Sequence, residues 1–255
     1  MRRLGLLVVG DEILAGHTRD SNTHWLAQRL KQMGIRLVRV EVCSDALADI
    51  EESVRRFLQA LHLDYVITSG GLGPTHDDRT MEGVARALGV PLLMREEDHE
   101  WLRQRVAYGH KLGYFQSPEP NAGLLKMALL PAGSEAMPNH IGTCLGAIAK
   151  HADVTLFTLP GVPAEFQRMF EEAVRPLLET ADAEHVAEVV LYTEESRFYE
   201  TLMAVEKRHG VQIGSYPRHG HIVLRATGDK QAVQAAVAEL RAAGKEYLGA
   251  RDTPR

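Results

Sequence analysis

Leu4 to Val9 carries no polar side chain, and a short continuous apolar run of this kind predicts a strand buried on both faces. The glycine-flanked segment "GDEILAG" follows as a loop. Beyond it, in "DSNTHWLAQRLKQMG", Trp25, Leu26, Leu30 and Met33 recur at helical spacing, and Gly34 marks the stop. Ile35 to Val42 alternates as a strand. Asp45 then stands where a cap is wanted, before a helix with apolar positions at Ile50, Val54, Phe57, Leu58 and Leu61. Tyr65 to Thr68 is the next strand and runs into a glycine loop. The helix after that loop is predicted to start at Asp77 or Asp78 and to end at Leu88, before Gly89.

Strands alternating with helices at this spacing predict βαβ units, hence a mostly parallel sheet between helical layers. Ligands of such sheets sit at the carboxyl ends of the strands, which brings the "GDEILAG" and "GGLGPTHDD" loops to one cleft. Glu96 to His110 reads as a charged amphipathic helix and "GYFQSPEPN" as a loop. Two short strands follow, at Gly146 to Lys150 and Val154 to Thr158. "LPGVPAEFQRMFEEAVRPLL" makes a turn and a helix that Pro176 kinks or ends, with Pro163 and Glu165 suited to its first turn.

The polar stretch Glu179 to His185 marks a boundary between a domain at 1–178 and a smaller one at 186–250. The second reads strand, helix, strand, strand, helix: Val186 to Tyr192, Ser196 to His209, Val211 to Tyr216, His221 to Ala226 and Lys230 to Ala243. This βαββα order predicts a small α+β domain with helices on one face of an antiparallel sheet. Asp252 to Arg255 reads as a frayed tail.

Composition narrows the function classes. A formal net charge of −5, spread along the chain, argues against a general nucleic-acid binder. No G-x-x-G clamp occurs in the tail either. Cys43 and Cys144 stand alone, as reduced core residues of a cytoplasmic protein do. No stretch approaches the ~18 apolar residues of a membrane span.

The candidate chemistry lies in "TSGGLGPTHDD", Thr68 to Asp78. Gly70, Gly71 and Gly73 match neither the dinucleotide fingerprint nor a P-loop. Glycines there still let backbone N–H groups approach an anion. Asp77 and Asp78 beside such a loop repel each other and a phosphate, a conflict that a bridging divalent cation resolves. The plainer alternative has one aspartate capping the helix and the other solvated. Asp11 and Glu12 end the first strand at the same level. Asp20, Ser21 and Asn22 begin the next helix, where Asp20 or Ser21 serves as a cap and Asn22 is placed to bond a base or ribose. His219 and His221 read as a surface hairpin. No serine has the G-x-S-x-G setting of a nucleophile elbow.

"VVGDEILAGHTRDSNTHWLAQRL", "TSGGLGPTHDDRTMEGVARALG" and "LPGVPAEFQRMF", in this chain order, resemble the competence/damage-inducible CinA family. The resemblance implies that residues 1 to 178 form a three-layer α/β/α domain of the molybdopterin-binding (MoaB/MogA-like) type. "SYPRHGHIVLRATG" resembles the family's small KH-like domain. The family's C-terminal nicotinamide-nucleotide amidase domain has no counterpart here, so that activity is not expected. Two positions depart from the family pattern: Asp11 replaces a threonine, and Cys144 replaces a small alanine in "PNHIGTCLG".

The resemblance further implies a metal-dependent hydrolase of nucleotide pyrophosphates. ADP-ribose, cleaved to AMP and ribose 5-phosphate, is the first substrate, and FAD is a related one. Carried onto this sequence, Gly70, Gly71, Gly73 and Thr75 cradle the pyrophosphate, and Asp20 and Asn22 lie beside the nucleotide. Asp77, Asp78 and Glu12 hold Mg²⁺, Mn²⁺ or Co²⁺, with Asp78 the first candidate to orient water. A homodimer is implied by the same analogy. Two alternatives keep the fold: a molybdopterin-binding or adenylylating protein of cofactor biosynthesis, or a nucleotide-binding regulatory module without catalysis.

Overall fold

In the computed structural model the apolar opening of the chain is strand β1 (Arg3–Val9), buried at every residue after the first. Residues 1–59, 62–180 and 184–249 are described. Leu61, Ala181 to Ala183 within the boundary stretch, and the tail Asp252 to Arg255 lie outside them. The chain divides into two compact units, Met1–Ala181 and Asp182–Arg255.

In chain order the first unit continues with α1 (Asp11–Leu14), α2 (Asn22–Gln32), β2 (Arg36–Cys43), α3 (Leu47–Gln59), β3 (Tyr65–Ser69) and α4 (Thr80–Leu88). Then come β4 (Leu92–Leu93), α5 (Glu96–Lys111), α6 (Ala122–Lys126), β5 (Leu130–Pro131), β6 (Glu135–Met137), β7 (Gly146–His151), β8 (Val154–Leu159) and α7 (Pro163–Met169). The main sheet has the order β2-β1-β3-β8-β7-β6. Its first four strands pair in parallel, β7 pairs antiparallel with β8, and β6 pairs antiparallel with β7. Five of the six strands share one direction and β7 alone opposes them, so the sheet is mixed but mostly parallel, as the βαβ pattern predicts.

Burial on both faces explains the unbroken apolar run. Leu4, Leu6 and Val8 point to one face and pack with Leu26 and Leu30 of α2 and Phe166 of α7. Leu7 and Val9 point to the other and pack with Ile50, Val54 and Phe57 of α3 and Val84 of α4. Successive residues of a strand face opposite ways, so only a sheet between two helical layers buries both sets. Each fully buried phenylalanine contributes about 3–5 kcal/mol relative to alanine.

Several local expectations change. "GDEILAG" is not all loop: Asp11–Leu14 forms one helical turn, with the Gly10 carbonyl accepting from Ile13 and Leu14. Asp45 does not cap α3, because its carboxylate accepts the backbone N–H of Asp11 at 2.8 Å. "GYFQSPEPN" ends in a cap for α6, where Asn121 Oδ1 accepts from the Leu124 N–H. Before Pro176 the helical bonding widens to a π turn at Phe170–Val174, then tightens to a 3₁₀ turn at Arg175–Leu177, since proline brings no N–H.

The second unit comprises β9 (His185–Leu191), α8 (Tyr199–His209), β10 (Gln212–Arg218), β11 (His221–Gly228) and α9 (Lys230–Gly249). Its sheet is antiparallel with the order β10-β11-β9. Phe198, Val205, Leu224, Val233 and Leu240 form its core. His219 and His221 sit at the β10–β11 turn, where the His221 ring meets Tyr192.

Candidate functional site

Three parallel strands, β1, β3 and β8, end side by side at Val9, Ser69 and Leu159, and each hands the chain to a turn. The Gly70 N–H donates to the Leu159 carbonyl at 3.1 Å. Asn22, almost fully buried, donates Nδ2 to Ser69 Oγ (3.0 Å) and to the Gly161 carbonyl (2.8 Å). Those bonds tie the start of α2 to the other two turns, so the loops converge by construction.

The glycine loop needs its glycines for two separate reasons. Gly70 and Gly71 have φ of 109° and 65°, the left-handed region that side chains avoid. A Cβ on Gly70 would lie 2.2 Å from the Val9 carbonyl oxygen, and one on Gly71 would lie 2.2 Å from Thr80 Oγ1. Thr80, with no exposed surface, donates its hydroxyl to the Gly70 carbonyl (2.8 Å) and its N–H to the Gly71 carbonyl (3.1 Å). Among the described residues no hydrogen bond uses the N–H of Gly71, Leu72 or Gly73. An unpaired row of backbone donors is what a phosphate group requires.

That loop borders a cavity of about 970 Å³. One stripe of α5 also lines it: Arg105, Tyr108, Gly109 and Leu112, the last three spaced three, four and seven residues from the first. Arg105 lies over the Tyr108 ring at 5.9 Å and donates Nε and Nη2 to the Gly142 carbonyl. Phe115 packs on the bare face of Gly109 and joins this wall. The segment His140 to Cys144 and Glu165 of α7 also line the cavity.

Of the residues singled out in the sequence, Gly70, Gly71, Gly73, Asp78 and Glu12 line this cavity. Thr75 and Asp77 do not. The Thr75 hydroxyl contacts both Asp77 Oδ1 and Asp78 Oδ2, and the Thr75 N–H also reaches Asp78 Oδ2 at 2.9 Å. Neither aspartate caps α4, which starts later than expected, at Thr80. Lys126 closes the loop from behind, donating to the carbonyls of Thr75 and Asp78. Asp20 and Asn22 line a separate recess of about 80 Å³, which shares Glu12, Thr18, Gly161 and Pro163 with the large cavity. There Asp20 accepts from the N–H and hydroxyl of Thr23, a capping role, and Asn22 acts as the tie described above.

Charge is crowded at these strand ends. Burial raises the Asp45 carboxyl above its ordinary pKa, and the charges of Asp11, Glu12 and Asp77 add to that shift. The Thr75 hydroxyl holds the Asp77 carboxyl below its usual range. Burial pushes the Cys144 thiol up to about 12, so it is not a thiolate nucleophile. Among the described residues no three His, Cys, Asp or Glu side chains gather into a group able to hold a metal ion. The expected trio of Asp77, Asp78 and Glu12 is not such a group: Asp78 and Glu12 line the cavity, whereas the Asp77 carboxylate bonds to the Thr75 hydroxyl and does not. Asp78 and Glu12 do offer hard oxygen donors beside the N–H row, and a Mg²⁺-type ion shares such donors with phosphate.

The sequence reading missed Arg105, Tyr108, Phe115 and Asn139. The i, i+3, i+4, i+7 stripe on α5 was the available signal. Asn139 stands in the quoted "PNHIGTCLG", but nothing local pointed to its partner Glu165, 26 residues away.

The sequence model described as "Probable molybdopterin binding domain" matches residues 5–180. The crystal structure of "the protein CinA with unknown function from Thermoplasma acidophilum" superposes with a TM-score of 0.61 at 30% identity, over 69% of this chain and 98% of that one. The chain belongs to the CinA family of molybdopterin-binding domains. Protein PH0439 of Pyrococcus horikoshii is 38% identical over 84% of this chain and 83% of its own length. A CinA-like protein of Myxococcus xanthus is 39% identical over 71% of this chain, which spans only 41% of that relative. Residues 183–250 match the middle domain of FAD synthase, where the sequence resemblance suggested a KH-like domain. For a CinA-family chain these matches favour a cofactor or nucleotide ligand. They fit the molybdopterin-binding alternative better than metal-dependent cleavage of ADP-ribose. No helix of the described residues is long and apolar enough to cross a membrane.

Proposed function

We propose that this CinA-family protein binds a phosphorylated pterin or nucleotide in the large cavity. The phosphates sit on the Gly70–Pro74 backbone and the flat ring lies against the wall of Tyr108 and Phe115. The observation that carries the reading is the pairing, within one cavity of about 970 Å³, of an unpaired N–H row with an aromatic face. A pocket of that size takes a ligand of nucleotide dimensions, and its few polar groups fix the orientation.

Titration calorimetry with ADP and GDP tests it. Wild type is expected to bind in the micromolar range, and Gly71→Ala to bind at least roughly tenfold more weakly, because the new Cβ displaces Thr80 and with it the loop. A Gly71→Ala protein that keeps its melting temperature and its affinity would sink the reading.

A second reading is favoured by the placement of Asp78 and Glu12 on the same cavity: hydrolysis of a nucleotide pyrophosphate. A divalent ion, when bound, would supply charge neutralisation between carboxylates and phosphate. The protein's own part is to hold the pyrophosphate on the N–H row and to orient water through a carboxylate, with Asp78 the candidate. Water adds to one phosphorus, the bridging P–O bond breaks, and ADP-ribose yields AMP and ribose 5-phosphate. Chromatographic assay of AMP with Mg²⁺, Mn²⁺ or Co²⁺ decides the matter. Release that depends on metal and is lost in Asp78→Ala supports cleavage, whereas binding without release leaves the protein a binding module.

A further inference from the structure

We propose that Glu165 reads the ring of the bound ligand. Its carboxylate accepts the adjacent N–H and NH₂ donors of a 2-amino-4-oxopyrimidine edge, which pterin and guanine share. This rests on the cavity reading above and adds a specificity residue to it.

Glu165 lies in the first turn of α7, but no side-chain cap bond of that helix involves it. What holds it is Asn139, which has no exposed surface and donates Nδ2 to Glu165 Oε2 at 2.6 Å. Asn139 Oδ1 accepts the N–H groups of Ile141 (3.2 Å) and Gly142 (2.9 Å), so the amide has one possible orientation. A Cβ on Gly142 would lie 2.2 Å from Glu165 Oε2, so the loop gives up a side chain where the carboxylate enters. The carboxylate is thus placed, from a rigid brace, on the wall of the cavity.

It also lacks a counter-charge. Among the described residues no ion pair includes Glu165 and no hydrogen bond uses its Oε1. Arg105, the near cation, spends its Nε and Nη2 on the Gly142 carbonyl instead. An uncompensated carboxylate repels phosphate and asks for donors. With the phosphates on the N–H row of the glycine loop, the ring edge is what remains for this carboxylate. The ring edge meets Glu165 at the end where Gly142, Arg105 and Tyr108 come together.

A carboxylate presents acceptors only, so it matches an edge with two neighbouring donors. The 2-amino-4-oxopyrimidine edge has them. Adenine sets an acceptor beside its amino group, and a flavin flanks its N–H with two carbonyls, so each offers one good contact at most.

The test uses GDP, IDP and ADP, titrated into wild type and Glu165→Gln. IDP lacks only the 2-amino group. Wild type is expected to bind GDP roughly tenfold or more tighter than IDP, the size of a charge-assisted hydrogen bond. In Glu165→Gln, whose one oxygen accepts from Asn139 and whose NH₂ turns donors towards the ring, both should weaken, GDP more than IDP, so that the two converge to within roughly twofold. Pterin against lumazine, titrated by fluorescence into wild type, asks the same question without a variant, because lumazine has an oxygen in place of the amino group. Equal binding of GDP and IDP, or a GDP preference that survives in Glu165→Gln, overturns the assignment and leaves the cavity reading standing. Failure of all three nucleotides to bind overturns both.

Discussion

Strand β1 and strand β11 place their apolar residues by different rules. Every residue of β1 from Leu4 to Val9 is buried, whereas in β11 only Ile222, Leu224 and Ala226, at alternate positions, are. The first belongs to a sheet covered by helices on both faces, and the second to a sheet whose helices share a core with one face. A sheet covered on both sides has only its strand ends to offer a ligand, and that is where the glycine loop and the cavity lie. A sheet covered on one side keeps a second face, which here carries the exposed Val190, Tyr192 and Tyr216. The two patterns thus say where chemistry can be put before any motif is recognised.

Core truncation is the strongest way to break the comparison. Phe157→Ala removes a fully buried ring from the two-sided sheet and is expected to cost about 3–5 kcal/mol in urea unfolding. Leu224→Ala on the covered face of the one-sided sheet should cost about 2–5 kcal/mol, while Val190→Ala on its open face should stay within about 0.5 kcal/mol. A large loss at Val190 would mean that the open face is covered after all.

Most of the first unit was readable because burial on two faces leaves an unmistakable pattern at Leu4–Val9, Tyr65–Thr68 and Val154–Thr158. Short elements escaped it. Leu92–Leu93 and Leu130–Pro131 pair as two-residue strands, too brief to show any period. The site was half readable for a related reason. Gly70, Gly71 and Gly73 are adjacent in the chain, so their joint effect is written locally. Asn139 with Glu165, and Arg105 with Gly142, become neighbours only through the fold. Aspartates mislead in both directions. Asp77, Asp78 and Asp45 each had a capping reading, and each bonds elsewhere, since a loop backbone or a threonine hydroxyl competes equally well for a carboxylate.

Thr75→Val sharpens the strand-end side of the comparison. The Thr75 hydroxyl lies within hydrogen-bond distance of both Asp77 and Asp78, and valine leaves both carboxylates without that donor. Because Thr75 is exposed, unfolding stability should change little, whereas affinity for ADP should fall by roughly fivefold to tenfold. The Asp77 carboxyl provides a second readout. With its pKa depressed, its contribution is present above the usual value of about 4 and is lost only as pH falls below that. In Thr75→Val its titration, followed by NMR, should move upward.

The smallest expected effect concerns Asp45, where the strand ends crowd their charges. Its carboxyl is raised, first by burial and then by Asp11, Glu12 and Asp77. A raised carboxyl favours folding below its unfolded value of about 4, and that advantage is lost as pH climbs through the folded value. Wild type at pH 7 therefore carries a charge that the site disfavours. Asp45→Asn removes it and can still accept the Asp11 N–H through Oδ1. The variant should melt above wild type at about pH 7, with the gap closing towards about pH 3.5, where Asp45 is already neutral. Melting curves at both pH values check this. A gap that stays constant across the range would mean that geometry, not charge, sets the difference. The acidic strand ends would then need no cation to relieve them.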